Sequence, residues 1–251
     1  MRLRWLVLLA LAGLMLAGGL YYLTPPNIAD SRSADEICFD REEAVSKLVL
    51  ACTALIDSGR FSGQDLASIY FERAMAFQSW GKIDRAISDF QESDRICPSA
   101  ADHDFLGGIY EERGELDRAL AEYSEMVRLE PEQPSGYQRR ADLRMKQGEY
   151  KKAIPDWTEA IRFEHPVTVV YEYFRRAQAY SFLGREADAL ADLNKAIETD
   201  PYASGAYNDR AKIYEARGER EKAIDDFRKA LAAQPYDATA TEGLKRLGVK
   251  P

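Results

Sequence analysis

Two histidines, three cysteines and 42 acidic side chains carry most of the reactive or metal-ligating chemistry in this 251-residue chain. A zinc centre needs three or four convergent ligands. His103 and His165 lie far apart, and no CxxC, HExxH or HxH spacing accompanies them. GxGxxG, GxxxxGK[ST] and GxSxG are also missing, so the phosphate-cradling loops and the nucleophile elbow have no sequence signal. The acidic residues read as solvated surface, their usual place. These observations predict no enzyme activity, no metal and no cofactor. The net charge of −8 argues against nucleic acid, whose binding rests on Lys and Arg neutralising phosphates. The chemistry left is a disulfide among Cys38, Cys52 and Cys97.

The elements that position these residues show themselves through periodicity. Gly81, Gly114, Gly148, Gly184 and Gly218 recur about every 34 residues, and similar residue types surround each one. Seven positions before stand Ala74, Gly107, Ala141, Ala177 and Ala211. Eleven before stand Tyr70, His103, Tyr137, Tyr173 and Tyr207, and four before stand Phe77, Tyr110, Arg144, Tyr180 and Tyr214. Five after stand Ala86, Ala119, Ala153, Ala189 and Ala223; nine after stand Phe90, Tyr123, Trp157, Leu193 and Phe227. Seventeen after stand Pro98, Pro131, His165, Pro201 and Pro235. Steps of three and four put Tyr70, Ala74 and Phe77 on one helical stripe, and Ala86 with Phe90 on another. The glycine supplies a positive φ at the turn and the proline stops the second helix. Each unit is therefore two antiparallel helices whose apolar faces are buried only when neighbours stack.

The unit resembles the tetratricopeptide repeat over residues 67–237. The resemblance implies an all-α, right-handed solenoid of five stacked helix pairs, with the Tyr, Phe and Ala residues as its core. Residues 36–66 read as an N-terminal capping helix or partial repeat. Within them an amphipathic helix is expected over 40–57, opened by an Asp40/Glu43 capping box. Residues 238–251 read as a C-terminal capping helix. Three departures stand out: Arg144 in place of an aromatic, Pro155 early in a second helix, and a longer step between Gly148 and Gly184. That step carries His165, Pro166, Val167, Val169 and Val170, so an irregular third-to-fourth junction is expected.

The resemblance also implies a peptide or protein partner on the concave face formed by the first helices. The family's groove positions fall two, three, six, ten and thirteen residues before each turn glycine. In the fourth unit they select Tyr171, Phe174, Gln178, Ser181 and Phe182, of which Tyr171, Phe174 and Phe182 are expected as an apolar centre. Asp104, Glu111 and Glu112 of the second unit form an expected acidic flank, and Met145 of the third lies between. The Lys/Asn/Arg clamp by which some family members grip a C-terminal carboxylate is not matched, although Arg139 and Arg175 are basic. Self-association into a homo-oligomer is an alternative expectation, and an accessory role in envelope synthesis a third.

Residues 1–23 differ from the rest. Arg2 and Arg4 precede an uncharged run from Trp5 to Leu23, which at helical rise spans roughly 28 Å, close to the hydrocarbon thickness of a bilayer. The basic flank should stay in the cytoplasm, making the run a membrane anchor or a cleaved signal peptide. Residues 24–35 read as a tether, and the repeats are expected outside the cytoplasm, in the periplasm. That compartment permits a disulfide, for which Cys38–Cys52 is the candidate pair, leaving Cys97 free and largely buried. Geometry opposes the pair if a helix begins at Arg41, because Cys52 then lies roughly 16 Å along its axis.

Overall fold

The computed structural model describes residues 33–40, 42–166 and 168–251, and all its regular elements are α-helices. Two short caps open it, α1 (Ala34–Cys38) and α2 (Val45–Asp57). Five pairs follow: α3 (Gly63–Ser79) with α4 (Ile83–Ile96), α5 (Ala100–Glu112) with α6 (Leu116–Leu129), α7 (Pro134–Lys146) with α8 (Tyr150–Phe163), α9 (Val170–Phe182) with α10 (Glu186–Thr199), and α11 (Ser204–Ala216) with α12 (Arg220–Ala233). Helix α13 (Ala238–Arg246) closes the stack. The all-α solenoid of stacked pairs is the architecture that the periodicity implied. The expected anchor at 1–23, most of the tether and Val167 lie outside the described residues.

The repeated positions form the core for the reason their sizes suggest. Ala74, Ala86, Ala119, Ala141, Ala153, Ala189, Ala211 and Ala223 are fully buried, and so are Phe90, Tyr123, Trp157, Leu193 and Phe227. The second unit has Gly107 instead of alanine because a Cβ there would come within 2.4 Å of the Tyr123 ring. Each hairpin turns on a glycine with φ between 69° and 74°. The following N–H bonds back to the carbonyl five residues earlier, as Lys82 does to Phe77 at 2.8 Å, closing the helix with the Schellman pattern.

The N-terminal cap departs from expectation. The helix begins at Val45, not near Asp40, and the capping box is Ser33 with Glu36 at the start of α1. Ala34 and Asp35, read as tether, belong to that helix. Asp40 instead turns the chain, its Oδ1 accepting the Glu42 N–H at 3.0 Å. The late start removes the axial separation. Cys38 at the end of α1 folds back on α2, and the two cysteines are joined with their Cα atoms 5.0 Å apart. Cys97 is free and partly buried, its thiol donating to Gln64 Oε1 at 2.8 Å.

Pro155 lies inside α8, beyond its first turn, and the helix runs on to Phe163. It can supply no N–H to the helix ladder. The third-to-fourth junction spans residues 164–169, longer than the others, and is tied by the Thr168 hydroxyl to Glu164 at 2.6 Å. Val169 packs there, buried.

Candidate peptide-binding groove

The first helices of the last three units, α7, α9 and α11, enclose an open groove of about 690 Å³. Its floor is apolar: Met145 from α7 and Ile213 from α11 are both buried, with Ala216 beside them. Its wall is aromatic. Phe182 is 65% exposed at the end of α9 and stacks on Tyr150 of α8 at 4.4 Å. Its rim is charged: Lys146, Arg175, Glu186, Asp209 and Lys212. The rim charges are already paired, one pair within the rim and the others with residues beside it. Arg175 donates to Asp142, Lys212 to Asp209 at 2.8 Å, and Arg217 to Glu186 at 2.8 Å. Gln178 bridges α9 to α11, accepting from Arg175 of its own helix at 2.9 Å and donating to Asp209 at 3.1 Å. Such an arrangement favours an apolar side chain at the centre and polar contacts at the edge. Among the described residues no group of three or more His, Cys, Asp or Glu is placed to hold a metal.

The structure brings Gln178, Phe182 and Met145 together in this groove and puts the other expected residues elsewhere. Phe174 is half-buried and packs toward the fifth unit, where a Cβ on Gly205 would lie 3.1 Å from its ring. It belongs to the joint between units, which corrects its assignment to the open face. Tyr171 is half-exposed, yet its ring meets the Trp157 edge and its hydroxyl donates to Asp142 at 2.8 Å. Burial and that carboxylate push the hydroxyl pKa up to about 12. The acidic flank is compensated rather than open. Asp104 pairs with Arg139 at 2.7 Å, and Glu111 with Lys146 and the Tyr123 hydroxyl. Glu112 alone of the three is exposed without such a bridge to the third unit. Spacing alone missed Tyr150 and Ile213, while it does select Lys212, six residues before Gly218; the sequence signal for Tyr150 was its place two residues after a turn glycine, beside the aromatic two before the next.

Tetratricopeptide repeat models match residues 67–99, 173–202 and 204–237. The chain is a tetratricopeptide repeat protein. No curated protein matches the sequence. Among solved structures, it is similar to YrrB, described as a TPR protein with an unusual peptide-binding site, at 20% identity and a TM-score of 0.64; 78% of this chain and 99% of that one are covered. MamA is 23% identical with a TM-score of 0.59, covering 66% and 96%. PilW, described as a widely conserved type IV pilus biogenesis factor, is 14% identical with a TM-score of 0.59, covering 73% and 86%.

This tetratricopeptide repeat protein also carries a charge pattern that the spacing of its core residues did not reveal. Arg73, Arg140, Arg176 and Arg210 stand eight residues before a turn glycine, and Asp89, Asp156, Asp192 and Asp226 eight after. Each arginine grips its aspartate with two hydrogen bonds of 2.7 to 3.0 Å and spends a third on the preceding second helix. Those third partners are Thr53, Ser124, Thr158 and Asn194. Bidentate pairing suits the planar guanidinium. In the third unit Arg144, the departure from the aromatic pattern, adds a second cation to Asp156. The signal was present in the sequence as a recurrent Arg/Asp pair at fixed offsets.

Proposed function

We propose that this tetratricopeptide repeat protein is a non-enzymatic scaffold that seats an apolar side chain of a peptide or protein partner in the groove between α7, α9 and α11. The observation that carries the reading is Phe182, a large apolar residue left 65% exposed over a buried apolar floor. Exposed apolar surface rimmed by polar groups marks binding sites. The likeness in fold to a protein described as having a peptide-binding site supports the same reading. Phe174, Asp104 and Glu111 maintain the joints between units. A photo-crosslinking residue at position 182 should capture a partner in cells, whereas one at Tyr236, 96% exposed on the opposite end of the last repeat, should not. Equal capture at both positions sinks the assignment.

The scaffold is held outside the cytoplasm by its N-terminal segment, as an anchored or cleaved form. Support comes from the basic start, the uncharged run and the Cys38–Cys52 bond, since disulfides persist in oxidising compartments. No helix among the described residues is long and apolar enough to cross a membrane. Thiol counting on the unfolded, unreduced protein should find one free thiol, Cys97; three would rule out the bond. Intact mass separates the anchored from the cleaved form.

A further inference from the structure

The second unit breaks the arginine pattern, and its replacement has different chemistry. Leu106 stands where the other units have arginine, and Glu122 where they have aspartate. Glu122 is not left alone: His103 Nδ1 lies 2.7 Å from its Oε2. The other ring nitrogen, Nε2, lies 3.2 Å from Asp94 Oδ1 on α4. His103 thus links its own helix α5, its partner helix α6 and the preceding second helix α4. In the other units each arginine likewise links its own helix, its partner helix and the helix before, but from a different position on its own helix and to a different one on the helix before. An arginine stays charged throughout the accessible pH range, and a histidine does not.

We propose that the joint between the first and second units is a proton-controlled hinge, closed when His103 is doubly protonated and loosened when it loses one proton. The donor inventory makes the case. Nδ1 is hydrogen-bonded to Glu122 and Nε2 stands in ion-pair contact with Asp94, whose Oδ1 also accepts the Ser99 N–H at 3.3 Å; a carboxylate only accepts, and only the imidazolium presents a hydrogen to each of them together with a positive charge. Neutral imidazole donates once and turns a lone pair toward the other carboxylate. The ring is 10% exposed, so water does not readily replace the lost contact. The charged groups around it are all acidic: Asp94 from α4, Glu122 and Glu125 from α6, and Asp102 on α5 itself, with Glu125 held by Arg128 at 2.6 Å. The hydrogen bond to Glu122, with help from Asp94 and against the effect of burial, raises the His103 pKa above its ordinary value.

Asp102 acts in the same direction. It is 1% exposed, and burial pushes its carboxyl up to about 7. Ser93 Oγ sits 3.0 Å from the Ala67 carbonyl and 3.1 Å from Asp102 Oδ2, but the hydroxyl has one hydrogen. Both contacts are satisfied when Ser93 donates to Ala67 and a protonated Asp102 donates to Ser93. For both groups the folded pKa exceeds the unfolded one. Their stabilisation is therefore full below the unfolded values and is lost as pH rises toward the folded ones, between 3.8 and about 7 for Asp102 and from 6.5 upward for His103.

The test is a pH titration of the full-length protein, following the His103 ring nitrogens by NMR and amide exchange helix by helix, corrected for the intrinsic rate. The expected result is a doubly protonated ring titrating above pH 6.5. Exchange in α4 and α5 should accelerate at least tenfold across that titration, while α10 and α11, joined by Arg210, stay flat. Glu122→Gln should move the His103 titration downward, and His103→Gln should make exchange in α4 and α5 fast at every pH. A ring titrating at or below 6.5 overturns the proposal, as does equal pH response of the two joints. The wild-type titration decides the matter even where a variant fails to fold.

Discussion

At the joint between the fourth and fifth units, Arg210 reaches Asp226 with two hydrogen bonds and Asn194 with a third. At the joint between the first and second, His103 makes the corresponding reach to Glu122 and Asp94 with one nitrogen each. The helices meet in the same way at both places, because the alanine, aromatic and glycine positions that set their approach are shared. What differs is the polar link laid over that packing. In a solenoid each unit touches only its neighbours, so one joint can respond to conditions while the rest of the array does not. The packing fixes the shape, and the polar link sets how firmly each joint is held.

The largest effect that breaks this comparison is removal of an arginine. Arg210→Leu leaves Asp226, 2% exposed, without its partner. Breaking a buried pair from one side costs about 3 to 5 kcal/mol. Urea denaturation should show that loss equally at pH 6 and pH 8.5. Next in size is Gly107→Ala, which forces a methyl against the Tyr123 ring and should cost about 1 to 3 kcal/mol by overpacking. At the equivalent position of the fifth unit Ala211 and Phe227 are both fully buried. A smaller loss should appear in the wild type itself as pH rises from 6.5 through the raised His103 value, with the sign derived above. Melting curves at a series of pH values check it, and an increase in stability over that range would contradict the hinge. The smallest effect is Phe182→Ala, which should change stability by less than about 0.5 kcal/mol, as surface substitutions do.

The helices and their core were legible because each repeat samples the same physical demands again. Five glycines, five small residues and five large partners at fixed offsets leave little freedom, and Ala177 with Leu193 packs as that pattern requires. The N-terminal cap was less legible because it occurs once. Nothing in the residues distinguished an Asp40/Glu43 start from the Ser33/Glu36 one, and the fold-back of Cys38 depends on tertiary contact. The groove was legible by position but not by neighbourhood. Spacing placed Phe174 and Phe182 on one face of α9; it could not show that Gly205 clears a space into which Phe174 turns. Likewise Asp104 and Glu111 read as an acidic patch until α7 brought Arg139 and Lys146 against them.

The proposed site is tested most directly by setting Phe182→Ala beside Phe174→Ala, with a peptide selected for binding to the wild-type protein as ligand. The two rings are two turns apart on one helix, so the pair isolates place from chemistry. Phe182→Ala should weaken binding by on the order of 2 kcal/mol and leave the melting temperature nearly unchanged. Phe174→Ala should lower stability by on the order of 2 kcal/mol by opening the fourth-to-fifth joint. If Phe182→Ala binds the peptide as well as the wild type, the groove is not the binding surface. If Phe174→Ala instead loses the peptide with its stability intact, the site lies where the sequence alone placed it.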